Sequence, residues 1–219
     1  MHVTIIAKAP RPGEVKTRLC PPCTHQQAAE VAAAALSDTI VGVQRLINAW
    51  PAGGVALQPV LLWDGPTDEW GDGFTVVAQC AGGLGERLAA GFAALGPGVI
   101  IGMEAPAAVP HLALGLRAAA RDIDSLGLAT DGGYWMVGLG AHSAAHAHEM
   151  FTDVPMSSSH TGLAQLRRLT GLGRPVRLLP MARDLDTVED LRAVAVAEFD
   201  GQLRAAARRV LGMEPTGSG

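Results

Sequence analysis

Lys8, Lys16 and Arg18 fall in one short stretch, residues 7–19 (AKAPRPGEVKTRL), together with Pro10, Pro12 and Gly13. Gly13 lets the backbone turn closely around an anion, and the cations can neutralise the charge that two adjoining phosphates bring. Arg18 offers a planar fork that can bind in two places at once, while the lysines act as point charges. The spacing is neither GxxxxGK[ST] nor GxGxxG, so a P-loop NTPase and a dinucleotide-binding domain both lose their main support. The plain alternative is a solvated basic loop.

Further groups could act with that loop. In residues 79–88 (QCAGGLGERL), Gly82 and Gly85 lie at the start of a helical pattern, where backbone amides can hold a phosphate or the edge of a base. Gln79 adds a donor and an acceptor, and Arg87 a fork. A simple helix-entry turn is the competing explanation. Asp131-Gly132-Gly133-Tyr134 reads as a hairpin-like turn that exposes an acid and lets a ligand approach the backbone. Alternation sets Tyr134 and Trp135 on opposite faces of the next strand, so that one of them faces the ligand. Here the alternative is a tight turn whose Asp satisfies backbone amides. Asp184 and Asp186 share one side of an extended segment before the last helix, where one of them could complete a metal site with Glu104 and where helix capping would also use acids.

These groups need a scaffold that brings them together. Apolar, β-branched residues 2–7 (HVTIIA) predict a first strand, with the basic loop at its carboxyl end, where open α/β sheets bind ligands. Further strands are expected at 58–63, 74–78, 99–102, 125–130, 134–139 and 176–179. Helices are expected at 26–47, 84–95, 111–121 and 162–172, with a long terminal helix over 187–211 that Thr187 and Asp190 open as a capping box. Alternation of strand and helix implies an α/β fold with a mostly parallel sheet covered on both faces. Residues 1–214 read as one domain and 215–219 as a frayed tail.

Composition narrows the function. With 48% hydrophobic and 17% charged residues the chain is globular, and a net charge of −4 offers no basic field for nucleic acid. No apolar run reaches the roughly 18 residues of a membrane span and the start lacks a secretory pattern, so a cytoplasmic protein without membrane insertion is expected. Cys20 and Cys23 have CxxC spacing, but further soft ligands for zinc are lacking and the pair follows a basic loop, which makes incidental cysteines the better reading. His142, His146 and His148 lack an HExxH pattern and read as surface or packing residues. Residues 157–161 (SSSHT) read as a flexible link, since no GxSxG elbow frames them.

The segments AKAPRPGEVKTRL, QCAGGLGERL, IGMEAP (101–106), TDGGYWMVGL (130–139) and DLDTVEDL (184–191) occur in the order found in the bacterial DUF2064 family. Through them the chain resembles a branch of the GT-A glycosyltransferase superfamily related to MobA-like and phospholactate guanylyltransferase-like nucleotidyltransferases. The resemblance implies a three-layer α/β/α nucleotide-diphospho-sugar transferase fold that holds a nucleotide or nucleotide-sugar at the carboxyl ends of the first strands. It also implies a Mg²⁺ or Mn²⁺ ion bridging the phosphates, on Glu104 with Asp186, and a small-molecule acceptor beside Asp131, Gly132, Gly133 and Tyr134. Lys8, Gly13, Lys16, Arg18, Gln79, Gly82, Gly85 and Arg87 would bind the nucleotide and its phosphates, with Lys16 and Asp131 taking part in catalysis.

Two positions depart from the family pattern: Gly83 stands where an Asp is usual, and Glu104 where the acidic motif usually has Asp. Three readings follow. The first is glycosyl transfer from a nucleotide-sugar; the second is nucleotidyl transfer from an NTP to a phosphorylated small molecule. The third, motivated by both departures, is a nucleotide- or metabolite-binding protein without turnover.

Overall fold

The computed structural model describes residues 1–66 and 70–213, and the expected tail at 215–219 lies outside them. Strands β1 (His2–Lys8), β2 (Gln58–Asp64), β3 (Thr75–Ala78), β4 (Gly98–Gly102), β5 (Asp124–Leu128), β6 (Tyr134–Leu139) and β7 (Val176–Leu178) form one sheet in the order β3-β2-β1-β4-β6-β5-β7. All neighbours are parallel except β6, which runs against both β4 and β5.

Period-two alternation explains how one sheet serves two cores. In β4, Val99 and Ile101 join the core with Val3, Ile5 and Leu61, under α1 (His25–Asn48) and α3 (Leu112–Ala119), while Ile100 between them packs with Phe92 and Leu126 on the other side. That second face carries α2 (Leu84–Leu95), α4 (Ala141–Ala145), α5 (Ala147–Phe151) and α6 (Thr161–Gly171). The result is the three-layer α/β/α fold with a mostly parallel mixed sheet.

Several boundaries differ from the sequence reading, for local reasons. The helix expected at 111–121 is preceded by a 3₁₀ segment, Pro106–His111, whose Pro110 has no amide hydrogen for a regular helical bond. The long terminal helix is two, α7 (Val188–Val196) and α8 (Gln202–Val210). The break follows from Asp38 on α1, whose carboxylate accepts from the backbone N–H groups of Gln202 (2.9 Å) and Leu203 (2.8 Å) and so starts α8 separately. A Cβ at Gly201 would lie 2.3 Å from that carboxylate, so glycine is what lets the cap approach. The turn folds Leu203 and Ala207 back onto Val31 and Ala35, building a third cluster outside the sheet.

Candidate functional site

The direction of successive connections reverses between β1 and β4: the chain steps one way through β1, β2 and β3, then returns to place β4 on the other side of β1. Such a switch leaves a crevice at the carboxyl ends of the two strands. Here it is a cavity of about 520 Å³, lined by Ala7 and Lys8 from the end of β1 and by Gly102, Met103 and Glu104 from the end of β4. Antiparallel β6 brings its beginning, not its end, to this edge, and so places Tyr134 and the turn before it beside the crevice. A second cavity of about 660 Å³ adjoins the first, sharing Leu84, Glu104, Tyr134 and Asp184 with it.

Lys8, Lys16 and Arg18 of the basic loop have separate surroundings. Lys8 is exposed, 3.7 Å from Glu14. Lys16 has a left-handed backbone (φ 49°) that turns its side chain inward, where only 4% of it is exposed. Its ammonium pairs with Glu104, donates to the Leu185 carbonyl and lies 3.8 Å from Asp186. Arg18, in the short turn Thr17–Leu19, is solvent-facing and pairs with Asp186. Gly13 (φ 80°) supplies the bend between Lys8 and Lys16.

At the amino end of α2 the groups hold one another. The Gln79 amide donates to the carbonyls of Ala7 (2.8 Å) and Leu62 (3.0 Å), while Arg87 donates to Asp64 (2.8 Å), to the Gln79 oxygen (2.8 Å) and to the Gly82 carbonyl (3.0 Å). Gln79 and Arg87 thus brace the cavity wall, and Gly82 and Leu84 bring the positive end of α2 to it. Gly85 faces the Met156 side chain and lines a different hollow. At Gly83 the Glu86 carboxylate accepts from the backbone N–H at 2.7 Å, while glycine offers no side chain to cap the amides of the first turn of α2.

Four acids converge opposite. Asp184 is half-buried, has no hydrogen-bond donor among the described residues, and its pKa is pushed up to about 7. Burial is the largest cause, followed by the negative charges of Glu104 and Asp131, with Lys16 opposing. Asp131 is exposed, and its Oδ1 accepts from the Gly133 N–H at 2.8 Å, the compact turn the DGG spacing implied. Among the described residues no three His, Cys, Asp or Glu side chains are already arranged as a metal cage. An acid pair with one member crowded by like charge suits a hard divalent ion that takes one or two carboxylates and completes its shell with phosphates.

Tyr134 is the aromatic at the rim, its hydroxyl 3.6 Å from the Met156 sulfur and its pKa raised by burial. Trp135 lines the first cavity as well, so alternation does not leave a single aromatic there; it is buried, with its ring N–H donating to the Pro180 carbonyl at 3.1 Å. Sequence reasoning left two contributors outside the site. Asp64, which anchors Arg87, gave no signal beyond ending a strand. The SSSHT segment, read as a link, lines the second cavity: Gly162 N–H donates to the Gly132 carbonyl at 2.9 Å, docking the segment onto the DGGY turn. His142, His146 and His148 are exposed on α4 and α5 and at the junction between them, away from both cavities, and Cys20 and Cys23 are free thiols.

The architecture has counterparts. A crystal structure of a candidate nucleotide-diphospho-sugar transferase from Desulfovibrio desulfuricans G20 superimposes with a TM-score of 0.81 at 19% identity, covering 97% of this chain and 95% of that one. Rv0371c from Mycobacterium tuberculosis H37Rv gives 0.54 at 18% identity (90% and 97% covered). Its homologue from Mycobacterium sp. strain JC1 gives 0.52 at 18% identity (94% and 97% covered). At such identities the likeness is one of fold. Among curated proteins none matches the chain. Residues 47–158, just over half of the chain and including Gln79, Glu104 and Asp131, match the model of a family described as uncharacterised proteins conserved in bacteria, so the chain belongs to DUF2064.

Proposed function

We propose that this protein is a glycosyltransferase that takes a nucleotide-activated sugar in the first cavity and passes the sugar to a small acceptor in the second. The observation that carries the reading is the cavity at the β1/β4 switch point, with the amino end of α2 on one wall and Glu104 and Asp184 on the other. The donor named for the Desulfovibrio structure is of the same class.

In this reading Lys8 and the start of α2 attract the diphosphate, while braced Gln79 and Arg87 keep that wall in place. Glu104 and Asp184 would hold a Mg²⁺ or Mn²⁺ ion, which when bound supplies positive charge to the leaving diphosphate. Asp186 keeps Arg18 at the mouth of the second cavity. Lys16, fixed between Glu104 and Asp186, holds those acids together at a constant spacing. In the transfer, an acceptor hydroxyl oxygen bonds to the anomeric carbon, the bond from that carbon to the phosphate oxygen breaks, and its electron pair leaves with the nucleoside diphosphate. Asp131 orients the hydroxyl and accepts its proton, which passes on to solvent.

Thermal unfolding with a panel of NDPs, NDP-sugars and NTPs, with Mn²⁺ or with EDTA, tests this. A matching NDP or NDP-sugar at a hundredfold excess over Kd should raise the Tm by about 5–10 °C, more with metal than without. No shift with any nucleotide overturns the reading. Stabilisation by an NTP alone, with pyrophosphate released on turnover, replaces it with nucleotidyl transfer. Binding indifferent to EDTA, with no donor turned over, leaves a binding protein.

A further inference from the structure

The second cavity carries information about the acceptor that the fold does not. Its lining includes five carboxylates, from Glu104, Asp131, Asp184, Asp186 and Asp190, against one guanidinium, that of Arg18, which is already paired with Asp186. Lys16 lies beneath this surface and does not line it. Lys16 and Arg183 pair with Glu104 and Asp190, so a divalent ion at Glu104 and Asp184 would bring the wall to neutrality before a nucleotide enters and leave Asp131 as the carboxylate with no cation partner among the described residues. Besides Asp184, which the transferase reading gives to the metal, the polar groups with no partner among the described residues are Asp131 Oδ2 and the exposed hydroxyls of Ser157 and Ser159. The remaining groups are occupied, Asp190 by Arg183 and Thr187, and Ser158 by Thr161 and His160.

The DGGY turn and the serine segment form this wall as a unit. A Cβ at Gly132 would fall 2.0 Å from the Ser159 carbonyl oxygen, and one at Gly162 would fall 2.5 Å from the Gly133 carbonyl oxygen, so both glycines exist to let the two segments touch. Touching sets Asp131 beside the serine hydroxyls. An acceptor hydroxyl can donate to Asp131 Oδ2 while its neighbours accept from or donate to the serines. A phosphate or carboxylate on the acceptor would meet the uncompensated charge of Asp131 and that of the donor diphosphate, both of its own sign, in a partly enclosed space.

Resting on the transferase reading, we infer that this wall selects a hydroxyl-rich acceptor that carries no anionic group, and that Asp131 is its specificity-determining charge. The acceptor of a phosphate-directed nucleotidyl transfer is thereby excluded from this cavity.

The test uses the full chain with NDP and Mg²⁺ and two matched ligand sets, glucose with glucose 6-phosphate and gluconate, and glycerol with glycerol 3-phosphate and glycerate. The NDP-induced Tm shift is measured first in the same samples; its absence removes the transferase reading itself. Given that shift, saturation-transfer NMR should show stronger transfer to the uncharged member of each set, by severalfold. In Asp131→Asn the preference should shrink, and in Asp131→Lys it should reverse; Asp131→Asn alone suffices where the lysine variant is unstable. Preference for the anionic members, or equal signals across a set including none at all, overturns the inference while leaving nucleotide binding intact.

Discussion

In the proposed reading Asp184 carries two roles that pull its proton in opposite directions: a half-buried acid among like charges keeps its proton, while a metal ligand must lose it. With a folded pKa of about 7 against 3.8 for an ordinary Asp, the native protein without metal holds a proton that the unfolded chain releases above pH 4. Stability therefore falls as pH rises from about 4 to about 7, and levels off above. Replacing Asp184 by Asn removes that loss. The Tm of Asp184→Asn minus that of the parent, in EDTA, should grow with pH across that window and stay constant beyond it; a difference independent of pH would show that Asp184 titrates normally. Alternation along DLDT correctly put Asp184 and Asp186 on one side, since both line the second cavity. It could not say which acid would be tied to Arg18 and which left without a donor, because that depends on Arg18 and Glu104, distant in sequence.

At the scale of elements, the DGGY turn and the start of α6 form one joint. Gly132 has φ 91° as well as the Ser159 backbone against it, so Gly132→Ala should cost about 2 kcal/mol or more and lower the Tm by several degrees. Gly171 in the same helix has nothing within 4 Å of its missing Cβ, and Gly171→Ala should be neutral or stabilising by up to about 1 kcal/mol. Equal responses of the two variants in calorimetry would separate the turn from the helix and dissolve the joint. Local pattern revealed most strands and the capping box at Thr187, where Asp190 does accept from the Thr187 N–H at 2.7 Å. It missed α4 and α5, five residues each and too short for a helical period to register. It merged α7 with α8, because the cap that parts them comes from Asp38, far back in the chain. SSSHT looked like a linker for the same reason: its partner is the turn at 131–133.

For the molecule as a whole, the first strand, held inside the sheet between β2 and β4, begins on a buried polar group. His2 Nδ1 lies 2.7 Å from Thr4 Oγ1 and Nε2 lies 3.1 Å from the Gly96 carbonyl, with the ring against Phe92, and burial lowers its pKa to about 4. The unfolded chain takes up a proton below about pH 6.5 that the native state refuses, so stability is lost as pH falls from about 6.5 to about 4. His2→Gln should be less stable than the parent at pH 7, with the gap narrowing through that range; denaturant midpoints that stay equally far apart would assign acid loss elsewhere. Over pH 4 to 6.5 the slopes from His2 and Asp184 have opposite signs and offset each other.

The single reversed strand has a mechanical consequence. Because β5 and β6 meet at the ligand edge through one tight turn, the acid-bearing wall has no slack: a five-residue connection locked by Gly133, Asp131 and the start of α6 cannot swing. The facing wall of the first cavity is built from the end of β1 at Lys8 and from the connection between β3 and α2 with Gln79 and Gly82. In the proposed reading a nucleotide would therefore enter a preformed slot, kept open by the Gln79 and Arg87 brace on one side and by the joint of the DGGY turn with α6 on the other.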